Sequence, residues 1–246
     1  MQVRLISCFL ISIICLSLKS HADTFNVALL KSGLPPYIFT QQERKSGIYV
    51  DILKEIEKIT GDKFVLRYYP IKRSIKAFSA GDIDIEPGIN PAWRKQWQSE
   101  SLYSAPFMMY TDIVAFRRNE YFKVSNAQDL VGKKIATVKG YYYPGYQAGF
   151  NSKKITRYNL IHEFQLLQFL SVKQRGADAG FINKNVLLYY MKTKNVKFDM
   201  GDVIGNVPIM FRFHKNKAKA LPRFNEALEH LIENGKINEI VKRYNE

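Results

Sequence analysis

Cysteine is nearly absent from this chain. Only Cys8 and Cys15 occur, both near the N-terminus. They fall inside an apolar run, residues 5–18, of about 14 residues, with Arg4 as the one early charge. A run of that length suits a signal-peptide core and falls short of the ~20 residues a membrane span needs. Ser20-His21-Ala22 follows, with small residues at the two positions a signal peptidase reads. Cleavage is expected after Ala22, which makes residues 1–22 a signal peptide and sends a mature chain beginning at Asp23 to the periplasm. That mature chain has no thiol. A disulfide framework, a thiolate metal site and a cysteine nucleophile are thereby excluded.

Other absences narrow the field further. No later stretch is apolar for long enough to cross a bilayer. Histidine is scarce, and His162, His214 and His230 show no paired spacing, so neither a metal nor another cofactor is expected. There is no Gly-x-Ser-x-Gly turn, no phosphate-binding P-loop and no nucleophile–base pair, so no catalytic residue is expected. Acidic residues are outnumbered. Without Arg4 and Lys19, 35 Lys and Arg face 22 Asp and Glu, or +13. The basic residues are spread along the chain rather than gathered into an arm, and with the export signal this argues against a nucleic-acid partner. A solvated basic surface accounts for the charge; attraction to anionic lipid or anionic solutes is the sharper reading.

What the sequence does contain is an alternation of short apolar strands and amphipathic helices, the mark of an α/β fold. Residues 24–30 read as a strand. Residues 48–60 read as a helix, with Ile52, Leu53, Ile56 and Ile59 at helical spacing and Gly61 at its end. Residues 63–69 read as a strand, 71–80 as a helix and 83–85 as a strand. This βαβαβ order specifies a parallel sheet. Residues 107–116 form a long β-rich run. Beyond it come a capped helix at 125–130, a strand at 133–138, a helix at 159–175, a strand at 177–182 and a helix at 183–191. A returning strand at 203–213 and two helices, 217–233 and 236–244, complete the pattern. No repeat or low-complexity linker interrupts it.

Several motifs, in order, carry a resemblance. They are Pro35-Pro36-Tyr37, Gly47-Ile-Tyr-Val-Asp51-Ile-Leu, Gly81-Asp-Ile-Asp84, Arg94, Tyr103-Ser-Ala-Pro106-Phe107, Asp129-Leu-Val-Gly132-Lys-Lys-Ile and Gly176-Ala-Asp178-Ala. The chain resembles the family 3 extracellular solute-binding proteins, best known as amino-acid receptors of ABC importers. The resemblance implies two α/β lobes, each a mostly parallel sheet flanked by helices, joined by two hinge strands. It places lobe 1 at 23–111 plus 206–246 and lobe 2 at 112–205. It also implies hinge closure of a monomer around a small polar, carboxylated or amino-acid-like solute, without chemistry on it. An ABC permease is the implied partner. The alternatives are a sensory binding protein reporting to a membrane receptor, and a dehydratase-like enzyme using Glu86 or Glu163 as acid or base.

By resemblance, Arg94 grips the ligand carboxylate, since a planar guanidinium fork matches two carboxylate oxygens. Asn90, opening Asn90-Pro91-Ala92-Trp93-Arg94, is counted with the ligand contacts. Arg73 and Glu86 follow strand ends, outside which ligands of open α/β sheets sit. Glu86 is expected to meet a ligand amine or to pair with Arg73. Tyr37, Phe39, Trp93 and the run Tyr141, Tyr142, Tyr143 are candidate pocket walls. By resemblance the backbone around Tyr141 and Tyr142 also offers N–H groups at a helix start. Asp51 and Asp84 read as structural. Asn183 stands where the family often has an Asp for the ligand ammonium. This neutral amide points to an anionic or carboxylated solute.

Overall fold

A computed structural model describes residues 22–245. The segment expected to be a signal peptide, its last residue apart, lies outside the described residues.

Strand β1 (Thr24–Leu30) runs parallel to β2 (Lys63–Tyr69), in register from Thr24↔Lys63 to Leu30↔Tyr69. Helix α1 (Ile48–Thr60) makes the crossover. Its Ile48, Ile52, Leu53 and Ile56 are buried, one apolar stripe at helical period. Gly61, at φ 77°, takes the left-handed turn that ends the helix, and its N–H donates to Glu57 O at 2.9 Å. Helix α2 (Ile71–Ala80) ends the same way at Gly81. Strand β3 (Ile85–Ile89) then joins the free side of β1 at Val27↔Ile85. It begins later than the expected 83–85 because the Asp84 carboxylate itself accepts the Asn26 N–H at 2.7 Å.

After the short β4 (Ser101–Tyr103), two long strands dominate. Strand β5 (Met108–Arg117) pairs antiparallel with β9 (Phe198–His214), from Met108↔Ile209 to Arg117↔Phe198. The far end of β9 takes up β3 and β4. The other side of β5 takes β8 (Ala179–Asn183), which leads to β6 (Lys134–Val138) and β7 (Thr156–Leu160). The order is therefore β2-β1-β3-β9-β5-β8-β6-β7, with β4 on β9. Two α/β halves meet through β5 and β9. Helices α3 (Gln147–Asn151), α4 (Glu163–Leu170) and α5 (Lys184–Thr193) belong to the second half. Helices α6 (Leu221–Glu233) and α7 (Lys236–Asn245) return to pack on α1.

Three expectations need correction. The helix at 159–175 is shorter: Thr156–Leu160 is an edge strand with Asn159 paired to Thr137, and α4 starts only where His162 Nδ1 accepts the Gln165 N–H at 3.2 Å. The segment at 125–130 is a 3-10 turn over Ala127–Leu130, capped by Asn126. The helix at 217–233 begins at Leu221, after a 3-10 turn over Lys215–Ala220.

Candidate functional site

The C-terminal ends of parallel strands leave backbone groups and side chains pointing into an open crevice. Here the ends of β1, β2 and β3 face the loop after β6, and a cavity of about 650 Å³ lies between them. Leu29, Tyr49, Tyr69 and Trp97 contribute walls from the first half, Tyr141 and Tyr142 from the second. Trp93 stands edge-on to Tyr110, centroids 5.6 Å apart, where the halves meet. Gly88, at φ 72°, is obligatory in this wall: a Cβ there would lie 2.2 Å from the Tyr49 hydroxyl oxygen.

The first polar wall is built on Glu86. It is the second residue of β3 and lies opposite Arg212 in the ladder with β9. Arg212 is fully buried, with its guanidinium 3.6 Å from the Phe78 ring centroid. Its Nη1 donates to Glu86 Oε2 at 2.6 Å and its Nε to Ser101 Oγ at 2.8 Å. Ser74 Oγ donates to Glu86 Oε1 at 2.9 Å. Arg94 Nε approaches Glu86 Oε2 at 3.4 Å, and its Nη1 donates to Trp93 O at 3.3 Å. The 3-10 segment Pro91–Glu100 is broken at Arg94 (φ −127°, ψ 24°), and Arg94 pairs with Glu86 from that break. One carboxylate thus stands against two guanidiniums, so this wall carries a net positive charge and Arg94 presents it to the cavity.

The second wall is acidic and phenolic. Tyr141 donates its hydroxyl to Glu163 Oε1 at 2.5 Å. Arg157 pins the loop by donating to Tyr141 O at 2.8 Å and to Thr137 Oγ1 at 2.7 Å. Asp112, on β5, also faces the cavity. Burial, and then the Glu163 charge, push the Asp112 carboxyl up to about 7. Burial raises Glu163 as well, against the opposing hydrogen bond from Tyr141. Burial pushes the Tyr141 phenol well up, with Glu163 adding to the shift.

Of the residues singled out from sequence, Glu86, Trp93, Arg94, Tyr141, Tyr142 and Tyr143 line the cavity. Tyr143 contributes little surface, because its ring packs edge-on against Phe181 at 5.1 Å. Five others need correction. Arg73 is solvent-exposed and lies over the Tyr69 ring, and Glu86 pairs with Arg212 and Arg94 instead. Asn90 is used locally, donating to Pro208 O at 2.8 Å and capping Ala92 N. Tyr37 is wholly buried, with its hydroxyl donating to Asn183 Oδ1 at 3.0 Å and accepting from Asn185 Nδ2 at 2.9 Å. Asn183 is the N-cap of α5, its oxygen also taking the N–H groups of Asn185 and Val186 and its amide donating to Thr111 O. Phe39 is core, against Tyr189 and Tyr244. Tyr141 and Tyr142 open no helix, since α3 starts only at Gln147 and the Tyr141 N–H is spent on Val138 O. Asp51 and Asp84 take structural hydrogen bonds from Tyr244 Oη and Asn26 N.

Sequence reasoning missed Asp112, Ser74 and Arg212. For Asp112 and Arg212 a signal existed: they are the single charges of the apolar runs 107–116 and 203–213, and such charges are rarely buried without a purpose. Among the described residues, no group of three or more His, Cys, Asp or Glu is arranged to hold a metal ion, and no helix is long and apolar enough to cross a membrane.

Comparison with known proteins supplies a frame for this geometry. Residues 27–246 match the bacterial extracellular solute-binding proteins, family 3. A probable histidine-binding protein of Campylobacter jejuni is 22% identical over 94% of this chain and 91% of its own. The ligand-binding core of GluR0, solved with L-glutamate, superposes with a TM-score of 0.75 at 16% identity, covering 92% of this chain and 100% of that one. An ancestral arginine-binding protein bound to arginine gives 0.72 at 21% identity, covering 90% and 97%.

Proposed function

Because the chain belongs to the bacterial extracellular solute-binding proteins, family 3, we propose that it captures a small carboxylated or amino-acid-like solute in this cavity, in the periplasm, and delivers it to an ABC importer. The observation that carries the reading is the cavity itself: a space of about 650 Å³ whose walls come from both halves, with Arg94 and Lys95 as cations of its lining. A solute held by both walls satisfies its polar groups only when the halves are together, so binding favours the closed state. The lobes of this reading are 23–111 with 206–246, and 112–205. The ladder between β5 and β9 slips at Asp112/Ile113, opposite Gly205, where those limits fall. A register slip loosens a ladder locally and suits a hinge. Arg94 takes the solute carboxylate, while Tyr49, Trp93 and Tyr141 flank its apolar part.

The experiment is a mass-spectrometric inventory of small molecules retained through native purification, followed by calorimetry of each one found. Recovery of a carboxylated solute that binds in one-to-one stoichiometry is expected. A hydrophobic or phosphorylated cargo, or turnover of the bound molecule, would overturn the reading.

A further inference from the structure

Arg94 is the cation that meets the solute, yet little holds it where it stands. Its two hydrogen bonds are both long, 3.4 Å to Glu86 Oε2 and 3.3 Å to Trp93 O. Both tryptophans of the chain lie in the same 3-10 segment, Trp93 beside Arg94 and Trp97 further on, and all three residues line the cavity. The segment leaves helical geometry twice, at Arg94 and at Trp97 (φ −119°, ψ 25°). Long 3-10 runs are uncommon because their hydrogen bonds are poor, so the shape of this one must be fixed from outside.

Both breaks are tied to one residue, each through a single intermediary. Arg212 Nη1 donates to Glu86 Oε2 at 2.6 Å, and the same oxygen takes Arg94 Nε. Arg212 Nε donates to Ser101 Oγ at 2.8 Å, and that hydroxyl donates onward to Trp97 O at 2.5 Å. Helix α2 backs the arrangement: Ser74 holds the other oxygen of Glu86, and the Phe78 ring lies against the Arg212 guanidinium. Arg212 is fully buried and is not one of the residues lining the cavity. A buried ion pair adds little stability over apolar packing of the same volume, so stability alone does not account for an arginine here. Its planar fork sends donors in two fixed directions, which neither an ammonium nor an apolar side chain can do. The charges divide the same way. Glu86 gives its short bond to Arg212 and its long one to Arg94, which leaves the Arg94 charge available to an anion.

We propose that Arg212 is a positioning residue for the solute site: it sets Arg94 through Glu86 and Trp97 through Ser101, and with them the affinity for a carboxylate it never touches. This rests on the solute-binding reading and deepens it.

The test uses the mature chain, with glutarate as the carboxylate probe. Arg212→Lys keeps a positive charge for Glu86, but one ammonium cannot take the places of Nη1 and Nε together. Ser101→Ala leaves both partners of the Arg212–Glu86 pair in place and cuts the tie to Trp97, whereas Ser101→Thr keeps the hydroxyl. In calorimetry, glutarate binding should weaken about tenfold in Arg212→Lys and about threefold in Ser101→Ala, the range of one net hydrogen bond. Ser101→Thr should bind like the wild type. A Trp93→Phe background leaves Trp97 as the one tryptophan. There, without ligand and well below the unfolding temperature, acrylamide should quench emission more strongly in Arg212→Lys and Ser101→Ala than in the background alone or with Ser101→Thr. A role in stability alone would move neither readout in a folded variant. Unchanged affinity or unchanged quenching in Ser101→Ala overturns the proposal. Ser101→Thr behaving like Ser101→Ala overturns it too, since packing and not the hydroxyl would then be responsible. So does a folded Arg212→Lys that matches the wild type; if that variant does not fold, Ser101→Ala decides. If the wild type binds no glutarate, that counts against the carboxylate reading of the cavity, and the quenching of Trp97 alone decides the role of Arg212.

Discussion

At the scale of the residue, the site depends on how charge is held out of water. Arg212 and Glu86 form a buried pair, and removing one partner of such a pair leaves the other uncompensated. Arg212→Met should therefore destabilise the fold by about 3–5 kcal/mol. Thermal unfolding should show it, at roughly 2–4 °C for each kcal/mol. The double change with Glu86→Gln should recover most of the loss; a single variant as stable as wild type would contradict the pairing. Arg94 is different, because it presents its charge to the cavity. Truncating one member of a desolvated charge pair costs roughly 2–5 kcal/mol. Arg94→Ala should thus weaken binding of the native solute by about 30-fold to several thousandfold. A loss under threefold in calorimetry would remove Arg94 from the site. Arg94 was readable from sequence because it follows a recognisable strand and lies in a local motif. The role of Asn183 was not: it is fixed by hydrogen bonds to Tyr37 and Thr111, distant in sequence, which no local pattern encodes. Asp112 escaped notice for the converse reason, as a single carboxylate in a strand otherwise read only for its apolar pattern.

At the scale of the element, period decided what was readable. Helices α1 and α2 and strand β2 have the expected limits, because each has a clean apolar stripe or alternation and a glycine or proline at its boundary. The region from 156 to 175 was not resolved by the same rule. Ile161, Phe164, Leu167 and Leu170 do lie at helical spacing, but the edge strand β7 just before them has only Leu160 buried and so gives no alternation to read. Elements also meet through one polar tie. Tyr37, beyond β1, donates to Asn183 and accepts from Asn185, at the start of α5. This pair of hydrogen bonds joins the first half to the second beside the junction strands. Tyr37→Phe keeps the ring stacked on Tyr49 but deletes both bonds. The expected cost is about 1–3 kcal/mol, because buried polar groups lose a partner. Urea unfolding measures it, and an unchanged midpoint would show that the tie contributes nothing.

At the scale of the whole molecule, the two halves and the sheet order follow from β5 and β9, whose antiparallel ladder belongs to both. The sequence signalled this as two long β-rich runs, 107–116 and 203–213, but not the full reach of β9 across Phe198–His214. Its extra residues include Gly201, which lowers any strand signal even where the backbone is extended. The proposed function asks this pair of strands to act as a hinge. Ligand that binds only the closed, folded state stabilises it, by roughly 2.7 kcal/mol at 100 times the dissociation constant. The most direct test of the central claim is small-angle scattering of the mature protein, with and without saturating amounts of the solute recovered from native purification. A fall in the radius of gyration on binding is predicted. An unchanged radius at full occupancy would contradict capture by closure of the two halves.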